Sequence, residues 1–324
     1  MNFVLLLGAG FTRNWGGWLA SEAFEYLLGS PELDDGLRDL LWKHKDRGGF
    51  EAALAELQQD HVQSKRSEPE PRLGCMQKAI LRMFADMDAG FSTSDFRFEF
   101  SNDRSYRVDE FLVKFDAIFT LNQDTLLEQH YLNENIGLSP AWDGRQFPGM
   151  KPAGTETHLI RRWEEIPDGF TVDANLQPIF KLHGSTNWDD SKGEGLLVIG
   201  GNKSEAIGRH QILSWYFKQF RGYLSRDNTQ LMVIGYGFRD DHVNSAILSA
   251  AESSSLRLFI IDALGVDVLD KNRGAAIHDP DILMKKLGSK VIGASRRSLR
   301  EIFEADPPIE HSKMMRFFDR DATV

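Results

Sequence analysis

Four polar or glycine-rich turns carry the residues of this chain that could do chemistry. Gly8-Ala9-Gly10-Phe11-Thr12 follows the apolar run Phe3 to Leu7, and Leu121-Asn122-Gln123-Asp124 follows Phe115 to Thr120. His183-Gly184-Ser185 follows Ile179 to Leu182, and Gly235-Tyr236-Gly237-Phe238, with Asp241-His242 just beyond, follows Gln230 to Ile234. A fifth run, Leu256 to Ile261, ends in Asp262. An imidazole starts near neutral pH and suits general-base work. Glycines let backbone approach an anion closely, and the amides behind them donate to it. An acid at the end of a buried strand often holds a ribose hydroxyl.

Each turn also has a plainer reading. Two glycines can serve a strand-to-helix turn for steric reasons, and the third glycine of the full dinucleotide fingerprint is missing. Asn122 reads equally as a helix N-cap, and Asp124 as a first-turn acid facing the helix dipole. A single histidine is usually a satisfied core or surface group, and Asp262 reads equally as a loop cap. Residue type leaves these alternatives open. The weight comes from convergence: all five turns fall at the carboxyl edge of one predicted sheet, where they present amides, a carboxamide, carboxylates and an imidazole to one ligand.

The elements that must position these groups follow from hydrophobic patterning. Five short apolar runs predict buried strands, so the expected fold is α/β, a Rossmann-like parallel sheet with helices on both faces. Apolar residues three and four apart predict a helix from near Gly17, and further helices over Leu33 to Trp42, Phe50 to Gln59 and Leu73 to Met87. Together they predict a helical module inserted at about 20–112, interrupted by a polar loop from Ser64 to Pro71. A helix is expected to begin within Leu121 to Glu128. Residues 139–178 read as a loop-rich insertion with scope for a β-hairpin. Leu196 to Ile199 reads as a short strand, and Val243 to Glu252 as a helix. The aromatic stripe of Leu213 to Leu224 reads as core. The predicted layout is a Rossmann-type domain over 1–270, carrying both insertions, and a C-terminal helical tail over 271–324 broken by Asp306-Pro307-Pro308.

Composition narrows the classes. The chain has 324 residues, 41% of them apolar, and a net charge of −10. That acidity argues against direct nucleic-acid binding, which needs clustered Lys and Arg. No stretch approaches the ~18 apolar residues of a membrane span, and the run from Phe3 is too short for a signal peptide. One cysteine, Cys75, rules out an internal disulfide and a cysteine zinc ribbon and fits a cytoplasmic location.

In this order the motifs resemble the sirtuin superfamily. GAGFT resembles that family's nucleotide loop, TLNQDTLLE at Thr120 to Glu128 its asparagine segment, and KLHGS at Lys181 to Ser185 its histidine segment. The usual four zinc-binding cysteines are absent. The GYGF segment, with Asp241-His242 after it, is similar to the bacterial SIR2-like branch found in antiphage defence. The resemblance implies an NAD+ glycohydrolase that releases nicotinamide and ADP-ribose, with NAD+ as substrate and no metal. It implies activation by assembly, as a homo-oligomer and with a protein partner such as a HerA-type ATPase or an Argonaute-like sensor.

By the same resemblance, Asn122 holds the ribose or the attacking water, and His183 is the general base or orients the ribose hydroxyls. Asp124 accepts from the nicotinamide carboxamide. Gly8, Ala9, Gly10, Phe11 and Thr12 take the pyrophosphate, with Arg13 adding charge. Ser185, Gly235, Gly237 and Phe238 complete the nucleotide site, with Gly237 near the adenosine half and Asp262 on its ribose. Two other readings stand beside this one: an NAD-dependent protein deacylase, disfavoured by the missing cysteines, and a non-catalytic NAD or ADP-ribose sensor, disfavoured by the intact Asn122 and His183. The helical module reads either as an oligomer surface or as completion of the core.

Overall fold

The computed structural model describes the chain apart from residues 65–70, 133–141, 154–160, 168, 271–280, 305 and 320–324. Its strands in chain order are β1 (Asn2–Leu7), β2 (Ala117–Thr120), β3 (Gly144–Gln146), β4 (Met150–Pro152), β5 (Trp163–Glu165) and β6 (Leu176–Lys181). They continue with β7 (Gly184–Asp189), β8 (Gly195–Leu197), β9 (Thr229–Ile234), β10 (Arg257–Ile261) and β11 (Val291–Ser295). Seven of them form one sheet in the order β11-β10-β9-β1-β2-β6-β3, and every neighbouring pair is parallel. A smaller mixed sheet runs β4-β5-β7-β8.

Both faces of the large sheet are covered, which is why its central strands read as unbroken apolar runs. On one face, Phe119 stacks on Phe180 with centroids 4.8 Å apart, against Phe220 of an aromatic helix. On the other, Phe3 packs against Phe317 and Phe318 at 5.6 and 5.2 Å.

Register decides where the chemistry falls. Leu7 pairs with Thr120 and with Ile234, Thr120 pairs with Lys181, and Ile234 pairs with Ile261. These five strand ends stand in one row, so the turns after them share the carboxyl edge. The chain moves outward from β1 through β2 to the edge strand β3, steps back one place to β6, then crosses to the other side of β1 and moves outward through β9, β10 and β11. The direction reverses between β1 and β9, where open parallel sheets bind ligands.

The helices are α1 (Ala9–Thr12), α2 (Ala20–Leu28), α3 (Asp35–His44), α4 (Gly49–Ser64), α5 (Pro71–Phe91) and α6 (Val108–Leu112). After them come α7 (Lys203–Arg209), α8 (Gln211–Leu224), α9 (Asp241–Ser253), α10 (Asp281–Leu287), α11 (Leu299–Phe303) and α12 (Ile309–Met315). Helices α2 to α6 occupy the span expected for the inserted module. Most of the polar loop expected from Ser64 to Pro71 lies outside the described residues.

Three expectations need correction. The stretch read as a helical tail contains β11, which pairs in parallel with β10 and belongs to the large sheet. The insertion at 139–178 carries the expected antiparallel pair, β4 with β5; what the expectation lacked is β3, which the insertion supplies to the large sheet. The helix expected within Leu121 to Glu128 starts late: the chain bends at Asp124 and Thr125 and is helical from Leu126 to Leu132, the last residue described before 142.

Candidate active site

The two glycine turns at the β1–β9 switch point lie directly on one another. Gly235 has φ +63°, and a Cβ there would stand 2.3 Å from the Gly10 carbonyl carbon. A Cβ on Gly10 would meet the Gly235 Cα at 2.6 Å. The Gly8 amide donates to Ile234 O at 3.0 Å, Gly10 to Gly235 O at 2.9 Å, and Phe11 to Gly8 O at 2.8 Å. The expectation that the amides of Gly8 to Thr12 take a pyrophosphate is therefore corrected: three of them donate to carbonyls of the fold. Ala9 is exposed at this turn, and Arg13 is exposed and paired with Glu22. Gly237 differs from Gly235. It is exposed, and a Cβ on it would meet only the Arg239 side chain at 3.9 Å, so packing does not account for a glycine there. Phe238 next to it is buried at φ +52°, its carbonyl accepting from Asn244 Nδ2 at 2.8 Å.

Asn122 reaches back to the first turn. Its Nδ2 donates to Gly8 O at 3.1 Å and to Thr12 Oγ1 at 2.7 Å. Because a carbonyl can only accept, this fixes the amide orientation and leaves Oδ1 without a partner among the described residues. Thr12 passes its own hydrogen to Asp124 Oδ2 at 3.0 Å, and Asp124 Oδ1 accepts from the Leu126 amide at 3.1 Å. Asp124 is buried, and burial raises its carboxyl above the usual range while Lys181 pulls the other way.

Below this chain lies a buried ionic cluster that joins the ends of the asparagine and histidine segments. Lys181 Nζ contacts Glu128 Oε1 at 2.6 Å, Asp124 O at 2.5 Å and Ser185 Oγ at 2.7 Å. Ser185 also contacts Glu128 Oε1 at 3.1 Å and Gln123 O at 3.2 Å. Its expected place in the nucleotide site is thus corrected: its hydroxyl is spent on the buried cluster. Asp88, from α5 of the inserted module, accepts from the Thr125 amide at 2.8 Å and from Thr186 Oγ1 at 3.1 Å. Burial first, and then the Asp124 charge, push the Asp88 carboxyl up to about 7. The inserted module is in this way hydrogen-bonded into the sheet edge.

His183 follows β6 as Asn122 follows β2, the neighbouring strand. It is 1% exposed, against 8% for Asn122. Its Nε2 lies 3.0 Å from Nε2 of His242, at the start of α9. Burial lowers the His183 imidazole to about 3, and burial also lowers His242. Asp240 offers an oxygen within 4.8 Å of both rings. Its carboxyl is lowered because Lys203 and His183 outweigh the cost of burial. Lys203 Nζ stands 2.8 Å from Asp240 Oδ1 and 2.8 Å from Glu51 Oε2 on α4. The His242 ring rests on Phe217, centroids 5.3 Å apart. Asp240, Lys203 and Glu51 were missed in the sequence because nothing in their own neighbourhoods distinguishes them from surface charge.

Asp262 takes the plainer of its two readings in this structure. Its Oδ1 accepts from the Leu264 amide at 2.9 Å and its carbonyl from the Gly265 amide at 2.7 Å, closing the bend that leads into the turn Gly265–Leu269. Two cavities lie away from Asn122 and His183. One of about 270 Å³ is lined by Glu164, Asp189 and Lys151 on the small sheet. The other, of about 310 Å³, is lined by Gly265, Ser295, Arg296 and Lys313 beyond β10 and β11. No helix among the described residues is long and apolar enough to cross a membrane.

A family model described as a SIR2-like domain matches residues 116–282, just over half of the chain. The matched span opens at β2 and contains Asn122, His183 and His242, but not the first glycine turn or helices α2 to α6. No curated protein matches the chain.

Proposed function

Since the chain belongs to the SIR2-like domain family, we propose that it is an NAD+ glycohydrolase, cleaving NAD+ to nicotinamide and ADP-ribose. One observation carries the reading. Asn122 and His183 leave adjacent parallel strands at matched positions, beside the β1–β9 switch point, with the Asn122 carboxamide oxygen unpartnered among the described residues. A protein deacylase would need support for a peptide site, and Cys75 as the single cysteine cannot build the usual cysteine quartet.

Cleavage of the nicotinamide–ribose bond develops positive charge at C1′, so the enzyme must hold the ribose and activate an oxygen nucleophile. Asn122 Oδ1 accepts from a ribose hydroxyl or from the attacking water. The histidine pair supplies the base, with both rings neutral at pH 7 because burial lowers them. The pyrophosphate crosses the exposed Ala9 and Gly237 turns, with Arg13 nearby. Asp124 is the less accessible partner; it contributes by fixing Thr12 and through it Asn122.

The biological setting belongs to the same proposal. An unregulated NAD+ hydrolase would deplete its host, and Lys203 links α4 of the inserted module to Asp240 beside the histidines. This supports an antiphage effector switched on by self-assembly or by a partner such as a HerA-type ATPase or an Argonaute-like sensor. The test is nicotinamide release by the purified chain, alone and with such a partner. Asn122→Ala and His183→Ala should each lower turnover by about 10²–10⁴-fold. Wild-type rates in both variants would refute the proposal.

A further inference from the structure

The reading of His183 as base meets a geometric obstacle: its ring is closed to solvent, and its Nε2 faces another imidazole. Hydrogen-bond bookkeeping resolves this. The Leu121 backbone favours the protonated His183 ring, and a carbonyl can only accept. With Nε2 engaged by His242, the hydrogen toward Leu121 sits on Nδ1, and the Nε2 lone pair faces His242. His242 must then donate from Nε2, which leaves its own Nδ1 as a bare lone pair. That atom has no partner among the described residues and is not sealed from solvent. His242 is half-buried, whereas His183 is fully buried.

We propose that His242 is a catalytic residue of the glycohydrolase reaction, taking the nucleophile's proton at Nδ1 and passing its Nε2 proton to Nε2 of His183. The proposal rests on the NAD+ glycohydrolase reading. In the step, water loses a proton to His242 Nδ1 while its oxygen bonds C1′ of the ribose. The C1′–N bond breaks, and its electron pair leaves with nicotinamide. The proton already on His242 Nε2 moves to His183, which becomes an imidazolium, and His242 ends as the opposite neutral tautomer. Asp240, within 4.8 Å of both rings, stabilises that charge. The groups acting on the pair are Asp240, Asp241, Lys203 and Arg221, with the Leu121 backbone behind His183 and Phe217 against His242. Asp240 and Asp241 favour the imidazolium, and Lys203 and Arg221 oppose it. A three-ligand metal centre from the same His183, Asp240 and His242 is the competing use of this geometry, and Lys203 on Asp240 disfavours a second cation there.

The test compares His242→Ala, His242→Gln and His183→Ala in the full chain. His242→Ala should lower kcat by about 10²–10⁴-fold at nearly constant KM, and added imidazole should restore part of it. His242→Gln still donates to His183 but cannot relay a proton, so it should stay inactive. Full activity in His242→Gln, near-wild-type kcat in His242→Ala, or stoichiometric zinc in the purified protein would each overturn the relay. If the wild type releases no nicotinamide either alone or with such a partner, the glycohydrolase reading itself fails. Ring-nitrogen NMR of the resting protein then still decides the tautomers: hydrogen on His183 Nδ1 and His242 Nε2 supports the assignment, and hydrogen on His242 Nδ1 refutes it.

Discussion

The ammonium of Lys181 stands 2.6 Å from Glu128 Oε1, with both side chains almost wholly withdrawn from solvent. Among the described residues, Glu128 Oε2 has no hydrogen-bond partner. The pair is therefore held by a few contacts in a place where charge is costly. Lys181→Met should destabilise the fold by about 3–5 kcal/mol, because it leaves a buried carboxylate without its cation. Lys181→Met with Glu128→Leu should recover most of that loss. Chemical denaturation of both variants checks this, and equal instability of the single and double variants would contradict it.

Asp88 makes stability fall as pH rises. Its carboxyl is raised to about 7 in the folded chain, from an ordinary value near 4, so the folded state binds more protons between those limits. Its contribution is present at low pH and lost as pH climbs through about 7. His183 works in the opposite sense, its folded value of about 3 costing stability as pH falls below about 6.5. The two are separated by comparing wild type with Asp88→Asn, which keeps an acceptor for the Thr125 amide. The variant should gain stability relative to wild type between pH 5 and 8, by roughly 2–4 kcal/mol at the upper end. Melting curves across this range provide the measurement.

Lys203 should tune the pH profile of the reaction. Its charge opposes protonation of both His183 and His242. Lys203→Met should move the acid limb of kcat upward by roughly half to one pH unit, the size expected for one nearby partly screened charge. It should also weaken the link from Glu51 on α4 to Asp240. An unmoved acid limb would remove the electrostatic role of Lys203.

The two glycines of the β9 turn should separate folding from binding. Gly235→Ala meets the Gly10 backbone at a positive φ, and should cost more than about 3 kcal/mol. Gly237→Ala meets nothing closer than 3.9 Å, and should melt within about 0.5 kcal/mol of wild type. If nucleotide crosses this turn, Gly237→Ala should nevertheless raise the KM for NAD+ by about tenfold, roughly 1.4 kcal/mol. Calorimetry and steady-state kinetics on the pair distinguish the two roles.

The central strands were readable because burial on both faces leaves no polar position in Phe3 to Leu7 or Gln230 to Ile234 beyond the first residue. The turns were readable for the same reason: polar groups directly after such runs stand out. Strand β11 was not readable, because Val-Ile-Gly-Ala-Ser is short, has a central glycine and is only partly buried. His183-Gly184-Ser185 reads as a turn, and Ser-Thr-Asn after Gly184 interrupts any apolar pattern, yet Gly184 opens β7. The site shows the same division. Asn122 and His183 announce themselves by position in the chain, whereas Asp88 and Glu128 acquire meaning only from partners 37 and 53 residues away.

Phe317 and Phe318 shield Phe3 from a position more than three hundred residues downstream. During translation the ribosome must make the whole sheet before that aromatic lid exists. The opening strand consequently waits, sticky and uncovered, while the helices emerge, and nascent-chain chaperones would have their longest work at this end. A polypeptide halted before Phe317 would keep that hydrophobic face bare, marking it for aggregation or proteolysis.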